Sequence, residues 1–119
     1  MIRYRILGNA VSLLVATLIC AGCGASSSTA AGTNPVATTS VSLQNTAFNP
    51  SAIVVSTGAT VTFTNLDGFA HNVTFDNAAI GTTGNFSTGS LTRTMPVAAG
   101  TYTFHCTIHT VMTGSVKVQ

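Results

Sequence analysis

The sequence predicts an all-β domain, a small antiparallel sandwich or barrel, carried behind an export signal and a flexible tether. Three observations predict it. From about residue 40 onward, apolar and polar residues alternate in short runs, the period of a strand with one buried face. Turn residues punctuate the runs at Asn49-Pro50-Ser51, Thr57-Gly58, Asn65-Leu66-Asp67-Gly68 and Ala99-Gly100, at the spacing of an all-β domain. No segment sustains a helical period.

Residues 1–23 read as a signal peptide. Arg3 and Arg5 make a positive start, Ile6 to Ile19 form an apolar stretch, and Ala21 and Gly22 supply small residues. The apolar run is shorter than the roughly 20 residues a membrane-spanning helix needs. Cys20-Ala21-Gly22-Cys23 resembles a bacterial lipoprotein box, which implies lipidation of Cys23 as the first residue of the mature chain. Leu is more usual where Cys20 stands. More than one acyl chain would hold the protein stably at a membrane. An unmodified N-terminus beyond Cys23, found by mass spectrometry of membrane-extracted protein, would rule this out. Residues 24–39 are small and hydroxylated, without apolar periodicity, and read as a flexible linker. The folded domain is expected over residues 40–119.

Within that domain, Val41 and Leu43 point one way, with Ser42 and Gln44 opposite. A second strand runs over Ile53 to Val55. Val61 and Phe63 alternate with Thr60, Thr62 and Thr64. His71, Val73 and Phe75 share one face of the next strand. Residues 77–90 read as a long loop, with a short strand around Phe86. Leu91 to Val97 is an edge candidate limited by Pro96. Tyr102, Phe104 and Cys106 share an inward face, and Val116 and Val118 close the chain. At about 80 residues the core is small, so a bound metal would add useful stability.

Composition excludes several function classes. Charged residues are only 5% of the chain, whereas apolar residues are 45%; such a chain is neither disordered nor polyanion-seeking. Beyond Arg3 and Arg5, Arg93 and Lys117 balance Asp67 and Asp76, so no basic patch marks a nucleic-acid partner. No nucleophile with a base and no paired carboxylates accompany the other residues, and an enzyme is not expected.

The chemistry concentrates in TYTFHCTIHTVMTG, residues 101–114. With the signal removed or Cys23 lipidated, Cys106 has no thiol to pair with, which calls for an explanation in an exported protein. An inert buried thiol is the plain alternative. His109 follows three residues later and Met112 three after that, on a loop that can turn all three side chains to one point. Thiolate and thioether are soft ligands and imidazole is borderline. Two His, one Cys and a weak Met suit copper cycling between its two oxidation states. Zinc prefers four strong ligands, and calcium and magnesium prefer oxygen. The second His is His71 or His105. His105 adjoins Cys106 on the same strand and points to the opposite face, so His71 is the better ligand.

The chain resembles the small blue-copper proteins, the cupredoxins of plastocyanin and amicyanin type. The resemblance runs through AFNPSAIVVSTGATVTFTN (47–65), DGFAHNVTFD (67–76) and GTYTFHCTIHTVMTGSVKV (100–118). It implies a Greek-key antiparallel β-sandwich and one type 1 copper ion held by His71, Cys106, His109 and Met112. The gap between His109 and Met112 is similar to the short amicyanin loop. Thr110 stands where Pro is common, and Phe63 where many relatives have Trp. The resemblance also implies that Asn72 sits behind the ligands, its N–H near the Cys106 sulfur and its side chain tied to Thr107.

With all four ligand positions filled by protein, the expected function is one-electron transfer between redox protein partners, by a monomer of the cell envelope or periplasm. Copper delivery in the envelope is the alternative. The expected docking surface is the edge of His109 among Phe69, Ala70, Ile108 and Val111. Having so few charges, it should depend weakly on salt. A smaller expectation places His105 on a secondary electron route; unchanged transfer kinetics in His105→Ala would dismiss it.

Overall fold

The computed structural model describes residues 34–119. They form β1 (Val36–Ala37), β2 (Ser40–Leu43), β3 (Phe48–Asn49), β4 (Ala52–Val55), β5 (Thr60–Asn65), β6 (Thr74–Phe75), β7 (Gly89–Thr94), β8 (Gly100–His105) and β9 (Thr113–Val118). No helix occurs among the described residues. The signal peptide over 1–23, the lipidated Cys23 and the start of the linker lie outside the described residues.

The strands build a sandwich of two sheets, ordered β1-β4-β9-β8-β6 and β3-β2-β5-β7. Alternation decides which side chains go inside. In β5, Val61 and Phe63 are buried while Thr60 is exposed and Thr62 and Thr64 are half-buried. In β9, Val116 and Val118 are buried and Lys117 is exposed. The core joins both sheets: Val41, Leu43, Val61 and Phe63 from one, Ile53, Val55, Phe104, Val116 and Val118 from the other. Each such side chain contributes roughly 1.5–3 kcal/mol when fully buried.

The all-β sandwich is as expected, but its sheets are mixed, not wholly antiparallel. β1–β4, β2–β5 and β4–β9 pair in parallel. None of these neighbours is consecutive in the chain, so no hairpin turn imposes an antiparallel pairing. Where the chain does return directly, as from β8 to β9, the pair is antiparallel. The domain boundary also moves. β1 pairs Val36 with Ile53 and Ala37 with Val54, so paired chain begins inside the stretch read as linker over 24–39. A two-residue exposed strand is too short to show alternation. β7 lies at a sheet edge, as Pro96 suggested, and Phe86 forms an isolated bridge with His71.

Phe104 is the hub of the core beneath the metal loop. Its ring meets Phe48, Phe75 and Phe63 at centroid distances of 4.8, 5.2 and 5.5 Å. On β9, Gly114 lies opposite Phe104 in the ladder. A Cβ at Gly114 would stand 2.4 Å from the Phe104 ring and 2.8 Å from the Ser51 carbonyl oxygen. The ring occupies the space a side chain would need.

Candidate metal centre

Two loops carry the candidate ligands, His71 between β5 and β6 and the other three between β8 and β9. His71 is fully buried, and its backbone is pinned by two hydrogen bonds with Phe86. The His71 N–H donates to the Phe86 carbonyl at 3.1 Å, and the Phe86 N–H donates back at 2.9 Å. Cys106 follows the last residue of β8 and keeps its alternation, so its thiol enters the core. The loop from Cys106 to Met112 is closed at its neck, where the Cys106 N–H donates to the Met112 carbonyl at 3.0 Å. Within it the Met112 N–H donates to the His109 carbonyl at 2.9 Å. The Met112 side chain is buried and His109 is half-buried.

The donor atoms converge. His71 Nδ1 and His109 Nδ1 lie 4.0 and 3.8 Å from Cys106 Sγ. The three ligand atoms all lie within 4.8 Å of one another. Two donors bound to one ion at about 2.0–2.3 Å, with trigonal angles, stand roughly 3.5–4 Å apart. The spacing therefore fits a single ion between two imidazoles and a thiolate, and Met112 completes the softer set that copper favours over zinc.

Three of the four predicted ligands thus converge, and the fourth, Met112, is buried at the neck of the same loop. His105 is not with them. It lies on the outward side, with Nδ1 3.1 Å from Asp76 Oδ1, and Thr103 donates to the same carboxylate. Asn72 is buried and tied to Thr107 as expected. Its Nδ2 donates to Thr107 Oγ1 at 2.7 Å, and its Oδ1 accepts from the Thr107 N–H at 3.0 Å. The same Nδ2 donates to Asn85 Oδ1 at 2.9 Å. The expected approach of the Asn72 N–H to the thiol is not among the hydrogen bonds of the described residues. The sulfur's partners there are the two imidazoles.

Sequence reasoning left Asp67 as a turn residue. The structure places its carboxylate against a ligand, with Oδ2 2.8 Å from His71 Nε2 and both side chains sequestered. Burial pushes the Asp67 carboxyl up. Hydrogen bonds from the Thr46 N–H, His71 and the Asn45 N–H, with the attraction of His71, outweigh it and hold the group below the usual carboxylate range. Asn65 was also missed. Its Nδ2 donates to the Phe69 and Phe86 carbonyls at 2.8 and 2.7 Å, and its Oδ1 accepts from the Asp67 N–H at 2.9 Å. That side chain shapes the loop leading into His71. The i, i+4 spacing of Asp67 and His71 was visible in the sequence, but only a turn, not a strand, makes them meet.

Beside the half-buried His109, the loop residues Ile108 and Val111 and the facing Phe69 are exposed apolar side chains. The Phe69 ring packs on both ligand imidazoles, with centroids 4.8 Å from His71 and 5.7 Å from His109.

Comparison with known proteins points the same way. The model of a family described as copper binding proteins, plastocyanin/azurin family, matches residues 35–119. A chloroplastic plastocyanin of Oryza sativa subsp. indica is 37% identical over 87 residues, covering 60% of this chain and 54% of the plastocyanin. The chain thus spans about half the length of that curated relative. A reduced point variant of amicyanin superposes with a TM-score of 0.61 at 28% identity, over 67% of this chain and 80% of the amicyanin. A purple cupredoxin from Nitrosopumilus maritimus shares the fold, with a TM-score of 0.56 at 20% identity, over 67% of this chain and 98% of that one.

Proposed function

We propose that this chain, which belongs to the plastocyanin/azurin family of copper-binding proteins, is an exported one-electron carrier working between redox protein partners. The single observation that carries the reading is the convergence of His71 Nδ1, Cys106 Sγ and His109 Nδ1 within 4.8 Å of one another. His71, Cys106, His109 and Met112 would hold the copper, which supplies the Cu(II)/Cu(I) couple when bound.

The protein's part is to keep the ligand set unchanged between the two states. Burial of His71 and Cys106, the Phe86 clamp and the closed neck of the Cys106–Met112 loop resist rearrangement. Asn72 ties the His71 segment to the loop through Thr107. The protein ligands leave no position assigned to substrate, which supports a carrier over an enzyme. Partners would approach the edge of His109, among Phe69, Ala70, Ile108 and Val111, all of them exposed. The described residues include two Asp, one Arg and one Lys, so docking on that apolar rim should change little with ionic strength. A monomer is proposed. Export and an anchor at Cys23 rest on the N-terminal sequence, and place the carrier in the cell envelope or periplasm.

The test is a visible absorption and EPR spectrum after stoichiometric Cu(II) is added. An intense thiolate-to-copper band with a narrow hyperfine splitting, both lost in Cys106→Ser, is expected. A weak spectrum of ordinary tetragonal copper would sink the carrier reading and move envelope copper delivery ahead of it.

A further inference from the structure

Asp67 does more than close a turn. Of the two Asp carboxylates in the described residues, Asp76 is engaged with His105 and Thr103 on the outer face. Asp67 is the one that reaches a metal ligand, accepting from His71 Nε2 at 2.8 Å in a nearly water-free position. A neutral imidazole carries its proton on one nitrogen only. A carboxylate at Nε2 keeps the proton there and leaves the Nδ1 lone pair free. Nδ1 is the atom that faces Cys106 Sγ.

The carboxylate is itself held from two sides. The Asn45 and Thr46 N–H groups donate to its two oxygens at 2.6 and 3.0 Å. These are the central residues of the two-residue turn joining β2 to β3, closed by paired hydrogen bonds between Gln44 and Ala47. Both take left-handed φ angles, 57° and 55°. A hairpin turn of this kind asks for positive φ at both centres and is usually built with Gly at the second. Here the second is Thr, a β-branched residue that resists the left-handed region. The turn keeps this costly conformation while aiming two successive amides at one carboxylate. From the other side, Asn65 Oδ1 accepts from the Asp67 N–H at 2.9 Å.

We propose that Asp67 is a positioning residue of the copper site, anchored by the β2–β3 turn, which holds His71 ready to ligate through Nδ1 and lowers the reduction potential. It lowers the potential because a fixed negative charge beside a ligand favours the more highly charged ion, Cu(II), over Cu(I). The inference rests on the copper-carrier reading above.

The experiment compares the copper-loaded full chain with Asp67→Asn and Asp67→Ala by optical spectroscopy, redox titration and competition for copper. In the Asn variant the neutral amide oxygen can still accept from His71 Nε2, so the blue spectrum should persist. The ratio of Cu(II) to Cu(I) affinities should fall at least about tenfold, a rise in potential of about 59 mV for one electron. The Ala variant should also bind copper about 10–100-fold more weakly. A wild-type blue spectrum with potentials in both variants equal to wild type would overturn the inference and leave the carrier reading standing. A wild type without the blue spectrum sinks the carrier reading itself. The reduced wild-type protein gives a readout that needs no variant to fold. Its nitrogen-15 spectrum should show a slowly exchanging proton on His71 Nε2, and a proton on Nδ1 or rapid exchange at Nε2 would overturn the proposal.

Discussion

Gly114→Ala tests the packing under the metal loop. The added Cβ would lie 2.4 and 2.5 Å from two carbons of the Phe104 ring, against about 3.4 Å for ordinary contact. The ring would have to recede by about 1 Å, and it cannot do so freely. Phe48, Phe75 and Phe63 hem it in at centroid distances of 4.8, 5.2 and 5.5 Å. Nor is the second contact soft. The Ser51 carbonyl, 2.8 Å from the new Cβ, is fixed by accepting the Ser115 N–H at 2.8 Å. Overpacking of a tight core costs about 1–3 kcal/mol, and two rigid obstacles place this case near the top, at about 3 kcal/mol. The assay is urea unfolding of the copper-free protein. With a slope near 1 kcal/mol/M, the midpoint should fall by roughly 2–3 M. Phe104→Leu removes the offending ring edge. In that background the added cost of Gly114→Ala should drop to about 1 kcal/mol, a coupling of about 2 kcal/mol. A cost for Gly114→Ala below about 0.5 kcal/mol, or simple additivity in the double variant, would refute the reasoning.

Two further outcomes follow from the β2–β3 turn and its carboxylate. Thr46→Gly should stabilise the copper-free protein by about 0.5–1 kcal/mol: relief of a left-handed L-residue is worth roughly 1–2 kcal/mol, less about 0.5–1 kcal/mol for the entropy of glycine. Differential scanning calorimetry at constant pH measures this, and a lowered midpoint would count against strain at Thr46. The second outcome concerns acid. Because the Asp67 carboxyl titrates lower in the folded chain, the native state binds its proton less readily than the unfolded chain does. Its contribution to stability is therefore complete above the unfolded carboxyl range, near pH 4, and is lost as pH falls through the lowered folded value. The stability gap between the copper-free protein and its Asp67→Asn variant should narrow over that window in pH-dependent urea titrations. A gap constant from neutral pH down to pH 2 would contradict the assigned direction.

Most of the sandwich was legible because burial follows a two-residue period. Val41, Leu43, Val61, Phe63, Val116 and Val118 alternate in the sequence and are all buried in the fold. Pairing was less legible. Alternation says which face of a strand is wet, but not which strand lies beside it, so the parallel neighbours β2–β5 and β4–β9 left no mark in the residues. Gly114 shows the same limit. Read along the chain, Thr113-Gly114 ends a loop; in the sheet, Gly114 is a strand residue whose missing side chain makes room for Phe104, ten residues earlier. The demand for glycine comes from a cross-strand neighbour, which no local pattern encodes.

The metal centre divides along the same line. Ligand chemistry is local: a thiol, an imidazole and a thioether three residues apart on one loop narrow the metal before any fold is known. Choosing His71 over His105 needed only strand alternation, and the fold agrees, since His105 pairs outward with Asp76. What tunes the ligands is not local. Asp67 meets the Asn45 and Thr46 amides across 22 and 21 residues, and Asn72 meets Thr107 across 35. A carboxylate four residues before a histidine is common in turns and carries little information alone. Its meaning comes from two backbone amides belonging to a distant hairpin whose second residue is Thr where Gly would be easier. The turn sequence reads as unremarkable polar chain, while its geometry ties β2–β3 to the copper ligand through one buried charge. The residues that set this site's potential are therefore best sought where a strained turn and a buried carboxylate coincide, outside the ligand loop itself.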